Sequence, residues 1–274
     1  MAIFIPTFKT NDGGKTWKPI QNNLPERGTA YTIAEDHENA NLLFVGTEFG
    51  VHFSVDGGQE WVPLKNGLPT IAVKDIAIQK RENDLVLATF GRGFYVLDDY
   101  TALRNFKKED LVKPATIYPV KDALMFIESL PLGVRGKGFL GESFFTTPNP
   151  KVGAVFTYYL KDDIKTIKDK RRELEKEKIK KGEAPYYPTL DSLRLEDEQA
   201  APHVLFTITD ENNNVVRRIK TPAKKGMSRI IWDFRYAPFG PIDLTPFDEA
   251  FAFSQPEFGY MALPGNYKVS LSKF

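Results

Sequence analysis

Apolar residues in the first hundred positions come in strand-length runs that repeat, and the repeat predicts the architecture. Tyr31-Thr32-Ile33-Ala34, Leu42-Leu43-Phe44-Val45-Gly46 and Gly50-Val51-His52-Phe53 are answered 43 positions on by Lys74-Asp75-Ile76-Ala77, Leu85-Val86-Leu87-Ala88-Thr89 and Gly93-Phe94-Tyr95-Val96. A period of roughly 40–45 residues filled with short strands is the pattern of propeller blades. Each blade is expected to run from an inner strand near Ile33 or Ile76, through two middle strands, to a turn and an outer strand near Trp17 or Trp61.

Two octapeptides mark those turns. Thr10-Asn11-Asp12-Gly13-Gly14-Lys15-Thr16-Trp17 and Ser54-Val55-Asp56-Gly57-Gly58-Gln59-Glu60-Trp61 share the form [S/T]-x-D-G-G-x-x-W, with the tryptophans 44 positions apart. Adjacent glycines permit positive φ, and the Asp carboxylate can accept hydrogen bonds from turn amides that have no strand partner. Thr10, Asp12, Gly14 and Trp17, with Ser54, Asp56, Gly58 and Trp61, are therefore expected to serve structure. On this frame residues 3–9 are the third strand of a blade. One complete blade follows, and the turn of the next has decayed to Val96-Leu97-Asp98-Asp99-Tyr100. A ring needs about four to eight blades, so the chain reads as a piece of a longer protein whose remaining blades lie upstream.

Beyond the repeat a polar linker is expected around Thr101–Pro114, which divides the chain into 1–105 and 106–274. Strand-like runs then return without the period: Ala115–Val120, Val152–Leu160, Val204–Thr209, Val215–Ile219, Ser228–Phe234 and Tyr267–Leu271. Thr209-Asp210-Glu211-Asn212-Asn213-Asn214-Val215 reads as a hairpin turn. Together they predict a sandwich of immunoglobulin or fibronectin type, and an all-β fold for the whole chain. A charged segment over 161–182 interrupts it, with Ile164, Ile167, Leu174 and Ile179 as a thin apolar stripe and pairs such as Glu177 with Lys181. It reads as a solvated surface helix, with a docking or nucleic-acid role as the alternative.

Composition narrows the function classes. With 37 Lys and Arg against 36 Asp and Glu the net charge is +1, which gives no electrostatic reason to expect a nucleic-acid partner. The chain has no cysteine, so disulfides and thiolate metal sites are excluded. No apolar run approaches the ~18 residues of a membrane span, and the segment starting at Met1 lacks the basic region of a signal peptide.

The two turns, followed by Thr89-Phe90-Gly91-Arg92-Gly93-Phe94-Tyr95-Val96-Leu97-Asp98-Asp99, resemble the Asp-box, or BNR, repeats of large bacterial sortilin-like propeller proteins often labelled glycosyl hydrolases. Phe144-Phe145-Thr146-Thr147-Pro148-Asn149-Pro150, Phe156-Thr157-Tyr158-Tyr159-Leu160 and Ile231-Trp232-Asp233-Phe234-Arg235-Tyr236 are similar to that family's C-terminal sandwich. The resemblance implies an exported multidomain protein, secreted or held in the cell envelope. It implies that Asp-box turns lie at the periphery, away from the face where ligands bind.

The candidates for ligand binding are accordingly on the hairpins between middle strands: Glu48 and Phe49 in one blade and Arg92, held between Gly91 and Gly93, in the next. Arg92 offers bidentate contacts to a carboxylate or a polar sugar edge; the competing reading pairs it with an acidic residue of a neighbouring blade. The leading expectation is a non-catalytic module for protein, peptide or glycan ligands, partnered by the remaining blades. The alternative is a glycoside hydrolase completed by those blades. Glycosidase chemistry needs two carboxylates across a cleft, and no spacing singles out a pair among Glu35, Asp36, Glu48, Asp75, Asp98 and Asp99. Arg27, Arg81 and Arg92 do not form a sialidase-like set.

No catalytic residue, cofactor or metal is expected. Gly136-Lys137-Gly138-Phe139-Leu140-Gly141 has dinucleotide-loop spacing, but strand-like Phe144-Phe145-Thr146-Thr147-Pro148 follows where a helix is required. Asp210, Asn212 and Asn214 start like a calcium loop, yet Val215 stands where glycine is needed. His37, His52 and His203 are isolated in the sequence.

Overall fold

Antiparallel sheets carry most of the regular structure, and the fold is all-β. The computed structural model describes residues 7–126, 147–240 and 258–274. The chain divides into two compact units, Met1–Lys108 and Glu109–Phe274. Residues 3–6, the 136–141 glycine motif and Phe144–Thr146 lie outside the described residues.

In the first unit β1 (Phe8–Lys9) pairs with β2 (Lys18–Pro19) across the first Asp-Gly-Gly turn. The next sheet is a four-stranded meander of β3 (Ala30–Glu35), β4 (Leu43–Thr47), β5 (Gly50–Ser54) and β6 (Val62–Leu64). A three-stranded meander follows: β7 (Val73–Gln79), β8 (Asp84–Thr89) and β9 (Phe94–Leu97). The repeat holds in three dimensions down to its irregularities, because both inner strands slip register at the same place, between Ala30 and Thr32 and between Val73 and Asp75.

One detail departs from the sequence alignment. Ile33 pairs with Val45, and its equivalent Ile76 pairs with Leu87, so β4 and β8 correspond at an offset of 42 rather than 43. The connection before β8 is one residue shorter, and the hairpin after it, Thr89–Gly93, is one residue longer than Thr47–Gly50. In a strand, a shift of one position exchanges the two faces. The apolar run Leu42–Val45 hides that shift in the sequence.

Face by face, the sheets are sandwiched. Leu43 and Val45 pack with Ile20, Leu24 and Trp61 toward the first turn. Leu42, Phe44 and Val51 pack on the opposite side with Val73, Ile76, Leu85 and Leu87 of the third sheet. Gly46 permits this approach: a Cβ there would stand 2.7 Å from the Val73 carbonyl oxygen. Among the described residues the third sheet has no fourth strand. After Asp99 the chain turns into α1 (Thr101–Asn105), whose Ala102 and Leu103 are buried beside fully buried Tyr100. The polar linker expected from Thr101 is corrected here, since 101–105 packs into the first unit.

The second unit pairs two three-stranded sheets. One holds β10 (Ala115–Ile117), β11 (Ala154–Leu160) and, farther along the chain, β14 (Gly226–Trp232); the other holds β12 (His203–Thr209), β13 (Val215–Pro222) and β15 (Lys268–Lys273). Alternate residues of β11 and β12 fill the core, with Phe206 stacked on Phe156 at 6.0 Å and edge-on to Tyr158 at 5.0 Å. Trp232 at the end of β14 and Phe234 just after it close the core.

The β12–β13 turn is held by Asp210, whose Oδ1 accepts from the amides of Asn212 (2.9 Å) and Asn214 (2.8 Å). The charged insert contains two helices, α2 (Ile167–Lys180) and α3 (Leu190–Glu198), and the second was not anticipated. Its signal is Thr189, whose hydroxyl caps the Ser192 amide. Arg171 of α2 pairs with Glu175 and with Glu196 of α3, and Lys165, just before α2, pairs with Glu173, whereas Lys181 meets Glu177 through the backbone. No described helix is long and apolar enough to cross a membrane.

Candidate functional site

Ser54 pairs with Leu43 at one end of the second sheet, and Gly50 pairs with Thr47 at the other. The five residues of β5 therefore separate the Asp-Gly-Gly turn from the β4–β5 hairpin by about 13 Å.

At the turn end the two octapeptides share one bonding scheme. The Ser54 hydroxyl donates to Asp56 Oδ1 at 2.8 Å and accepts from the Gly58 amide at 2.9 Å. Asp56 Oδ1 also accepts from the amides of Gln59 (3.0 Å) and Glu60 (2.9 Å). Burial pushes the Asp56 carboxyl up, but the Glu60 amide, the Ser54 hydroxyl and Lys108 at 3.0 Å bring it below its ordinary value. In the first copy Thr10 takes the place of Ser54, donating to Asp12 and accepting from Gly14, and Asp12 Oδ1 accepts from the Thr16 amide at 2.9 Å.

The tryptophans differ. Trp61 is 2% exposed and donates from Nε1 to the Ile20 carbonyl at 2.6 Å, whereas Trp17 is 58% exposed and bonds only its own turn, at Gly14. Asn23 exchanges two hydrogen bonds with the Trp61 backbone, and Asn22 donates to the carbonyls of Gly58 and Gln59. These clasping asparagines carried a sequence signal: Gln21-Asn22-Asn23-Leu24-Pro25 is echoed by Lys65-Asn66-Gly67-Leu68-Pro69.

A charge cluster not foreseen from the sequence also lies at the turn end. Asp36, fully buried, accepts from Arg104 Nε (2.7 Å) and Nη2 (2.8 Å), from the Tyr100 hydroxyl (2.5 Å) and from the Asn39 amide (2.9 Å). Arg104 Nη2 donates further to Asn83 Oδ1 at 2.6 Å. Burial raises the Asp36 carboxyl, but these donors outweigh it and hold the group at about 2. The cluster ties α1 to the connections that precede β4 and β8.

The hairpin end is different in character. Thr47 Oγ1 donates to the Gly50 carbonyl (2.9 Å) and accepts from the Phe49 amide (3.2 Å), and the Glu48 amide donates to Thr29 (3.0 Å). Gly28, at φ +99°, lies so close that a Cβ there would stand 2.7 Å from the Phe49 ring and 3.1 Å from Glu48 Oε2. Glu48 and Phe49 are thus presented together and exposed.

The equivalent hairpin is fixed the same way. Thr89 Oγ1 donates to Gly93 (2.7 Å), and the Phe90 amide donates to Ala72 (2.9 Å). Arg92 is exposed on it, makes no ion pair with the described residues, and is not bonded to Glu48 or Phe49. The residues missed here are those of the inner-strand irregularities. Lys74 Nζ sits 3.4 Å above the Tyr31 ring and 5.6 Å from that of Phe90, which is 71% exposed.

Beside Phe49 opens a depression of about 370 Å³, lined by Pro25, His52, Pro63, Lys65 and Pro69 among others. Burial, reinforced by Lys65, pushes the His52 imidazole down, so the ring is neutral near pH 7. His52 therefore offers one nitrogen donor or acceptor in a wall of proline and aromatic carbon. His37 lies by Asp36 and His203 stacks on Phe274, so the three histidines stay apart. Among the described residues, no group of His, Asp and Glu is arranged to hold a metal ion.

No protein family and no curated protein matches the sequence. Among solved structures, an ancestral GH74 enzyme is similar over 31% of this chain and 11% of its own, at 24% identity and a TM-score of 0.27.

Proposed function

We propose that the first unit belongs to the ligand-binding ring of an exported, non-catalytic propeller protein, and that its hairpin end takes a protein, peptide or glycan. One observation carries the reading: the hairpin end gathers exposed aromatic and cationic side chains. Tyr31, Phe49 and Phe90 supply rings that stack on a sugar face or an apolar peptide side chain, and Lys74 and Arg92 supply donors. The carboxylates are mostly elsewhere. Glu35, Asp36, Asp98 and Asp99 are at the turn end, with Asp36 already committed to Arg104.

The test is a panel of glycans and extended peptides presented to the chain. Phe49→Ala and Arg92→Ala are each expected to weaken a captured ligand about tenfold, some 1.4 kcal/mol, with Tm unchanged, because both side chains are exposed. Asp56→Ala is expected to lower Tm and leave affinity intact. Loss of binding in Asp56→Ala without unfolding overturns the reading.

Glu48 and Asp75 are the two of the six carboxylates at the hairpin end, and they keep a glycoside hydrolase as the second reading. That reading predicts hydrolysis of a bound glycan by the full-length protein, lost about 100-fold or more in Glu48→Gln with binding retained.

A further inference from the structure

Helices α2 and α3 form a hairpin without a core of its own. No residue of α2 is buried. Leu174, Ile179, Tyr186, Tyr187, Leu190 and Leu195 are 59–80% exposed. So many large apolar side chains on one short insert go beyond the single exposed residues of ordinary surfaces, and a helix of this length is marginal in water unless something packs on it. The two helices are joined by polar contacts. Arg171 donates from Nε and Nη2 to the two oxygens of Glu196, at 2.6 and 2.8 Å, and the Ile167 amide donates to Gln199 at 2.8 Å. Beside Arg171 they leave a depression of about 380 Å³ walled by Tyr186, Tyr187, Pro188 and Leu193.

Charge identifies what covers this surface. Over Ile167–Lys180, α2 has seven basic residues against four acidic ones, a net of +3. Over Leu190–Glu198, α3 has four acidic residues against one basic, a net of −3. We propose that the hairpin is a dimerisation element, with two copies of the chain pairing about a two-fold axis so that α2 of each lies on α3 of the other. A two-fold interface sets one patch against itself, and a patch made of one basic and one acidic helix is complementary to its own rotated copy. The alternative juxtaposition, α2 on α2, would oppose two positive surfaces. The exposed tyrosines and leucines then form the dry centre, and lysines such as Lys176 and Lys180 meet carboxylates such as Asp197 and Glu198 at the rim.

Sedimentation velocity of the full chain over a concentration series tests this. The wild type should show a monomer–dimer equilibrium. A charge-reversed α2 (Arg172→Glu, Lys176→Glu, Lys180→Glu) and a charge-reversed α3 (Asp191→Lys, Asp197→Lys, Glu198→Lys) should each dimerise at least tenfold more weakly alone. Mixed together they should recover a heterodimer of near wild-type affinity. Tyr187→Ser with Leu190→Ser should also weaken the dimer with Tm unchanged, which guards against misfolding of the charge variants. A wild type that stays monomeric overturns the proposal, as does association indifferent to all three variants, or charge variants that fail to recover on mixing. Monomeric binding to anionic-lipid vesicles, lost on reversing α2, would overturn it in favour of a membrane surface.

Discussion

Asp36 shows how much one buried residue can decide. Its carboxylate has left water entirely, and its charge is tolerated because Arg104, Tyr100 and two backbone amides satisfy it. Asp36→Asn keeps the shape but leaves Arg104 only the exposed Glu38 carboxylate, at 2.8 Å, as an acidic partner, so we expect a loss of about 3 kcal/mol, measurable as a lower Tm of the chain. The pH dependence has a defined sign. Folding lowers the carboxyl from 3.8 to about 2, so the unfolded chain takes up the proton first. The stabilisation is therefore fully present above roughly pH 4 and disappears as pH falls toward 2. Melting curves of wild type and Asp36→Asn should accordingly converge over that window. A gap that stays constant down to pH 2 would show that the cluster does not titrate as its geometry requires.

At the scale of the element, the two Asp-Gly-Gly turns have the same internal bonds but unequal surroundings. The bonds are local, spanning two to four residues, and form wherever the octapeptide occurs. Burial of the tryptophan is not local, because Trp61 needs Ile20, Leu24 and Asn23 of the preceding segment. Trp61→Ala should therefore cost about 3–5 kcal/mol as a core truncation, and Trp17→Ala should stay within about 0.5 kcal/mol as a surface change. Chemical denaturation of the two variants separates them; equal losses would mean that the turn itself, and not the neighbouring segment, sets the contribution of the ring.

For the whole molecule, the repeat shows one sheet face bare where its equivalent is covered. Val51 and Phe53 of the second sheet face the third, and Val51 is 1% exposed. Their equivalents in the third sheet, Phe94 and Val96, are 76% and 54% exposed. A sheet of the same repeat fits that face by the geometry already present between the second and third sheets. An exposed apolar face of this kind should drive association beyond the proposed dimer. Phe94→Lys with Val96→Lys is expected to reduce light scattering at high concentration to that of the α2–α3 dimer while leaving Tm unchanged. Association beyond the dimer that persists in that variant would show that this face does not drive it.

The sequence by itself determined the strands, their period and the chemistry of the turns. These depend on contacts between near neighbours: alternation along a strand, positive φ at paired glycines, a carboxylate within reach of amides a few residues on. It also placed Glu48, Phe49 and Arg92 on the hairpins opposite the turns, since a hairpin and its opposite turn are fixed once the strands are known. Only the tertiary structure decided that β8 is offset by one residue, because neighbouring apolar side chains make either register look equally good. It alone decided that Arg104 pairs with Asp36, a residue 68 positions away. It alone decided that Lys74 sits over Tyr31 and that one tryptophan is buried while its twin is not. Such pairings carry no local signature, since they exist only once separate sheets are stacked and water is excluded between them.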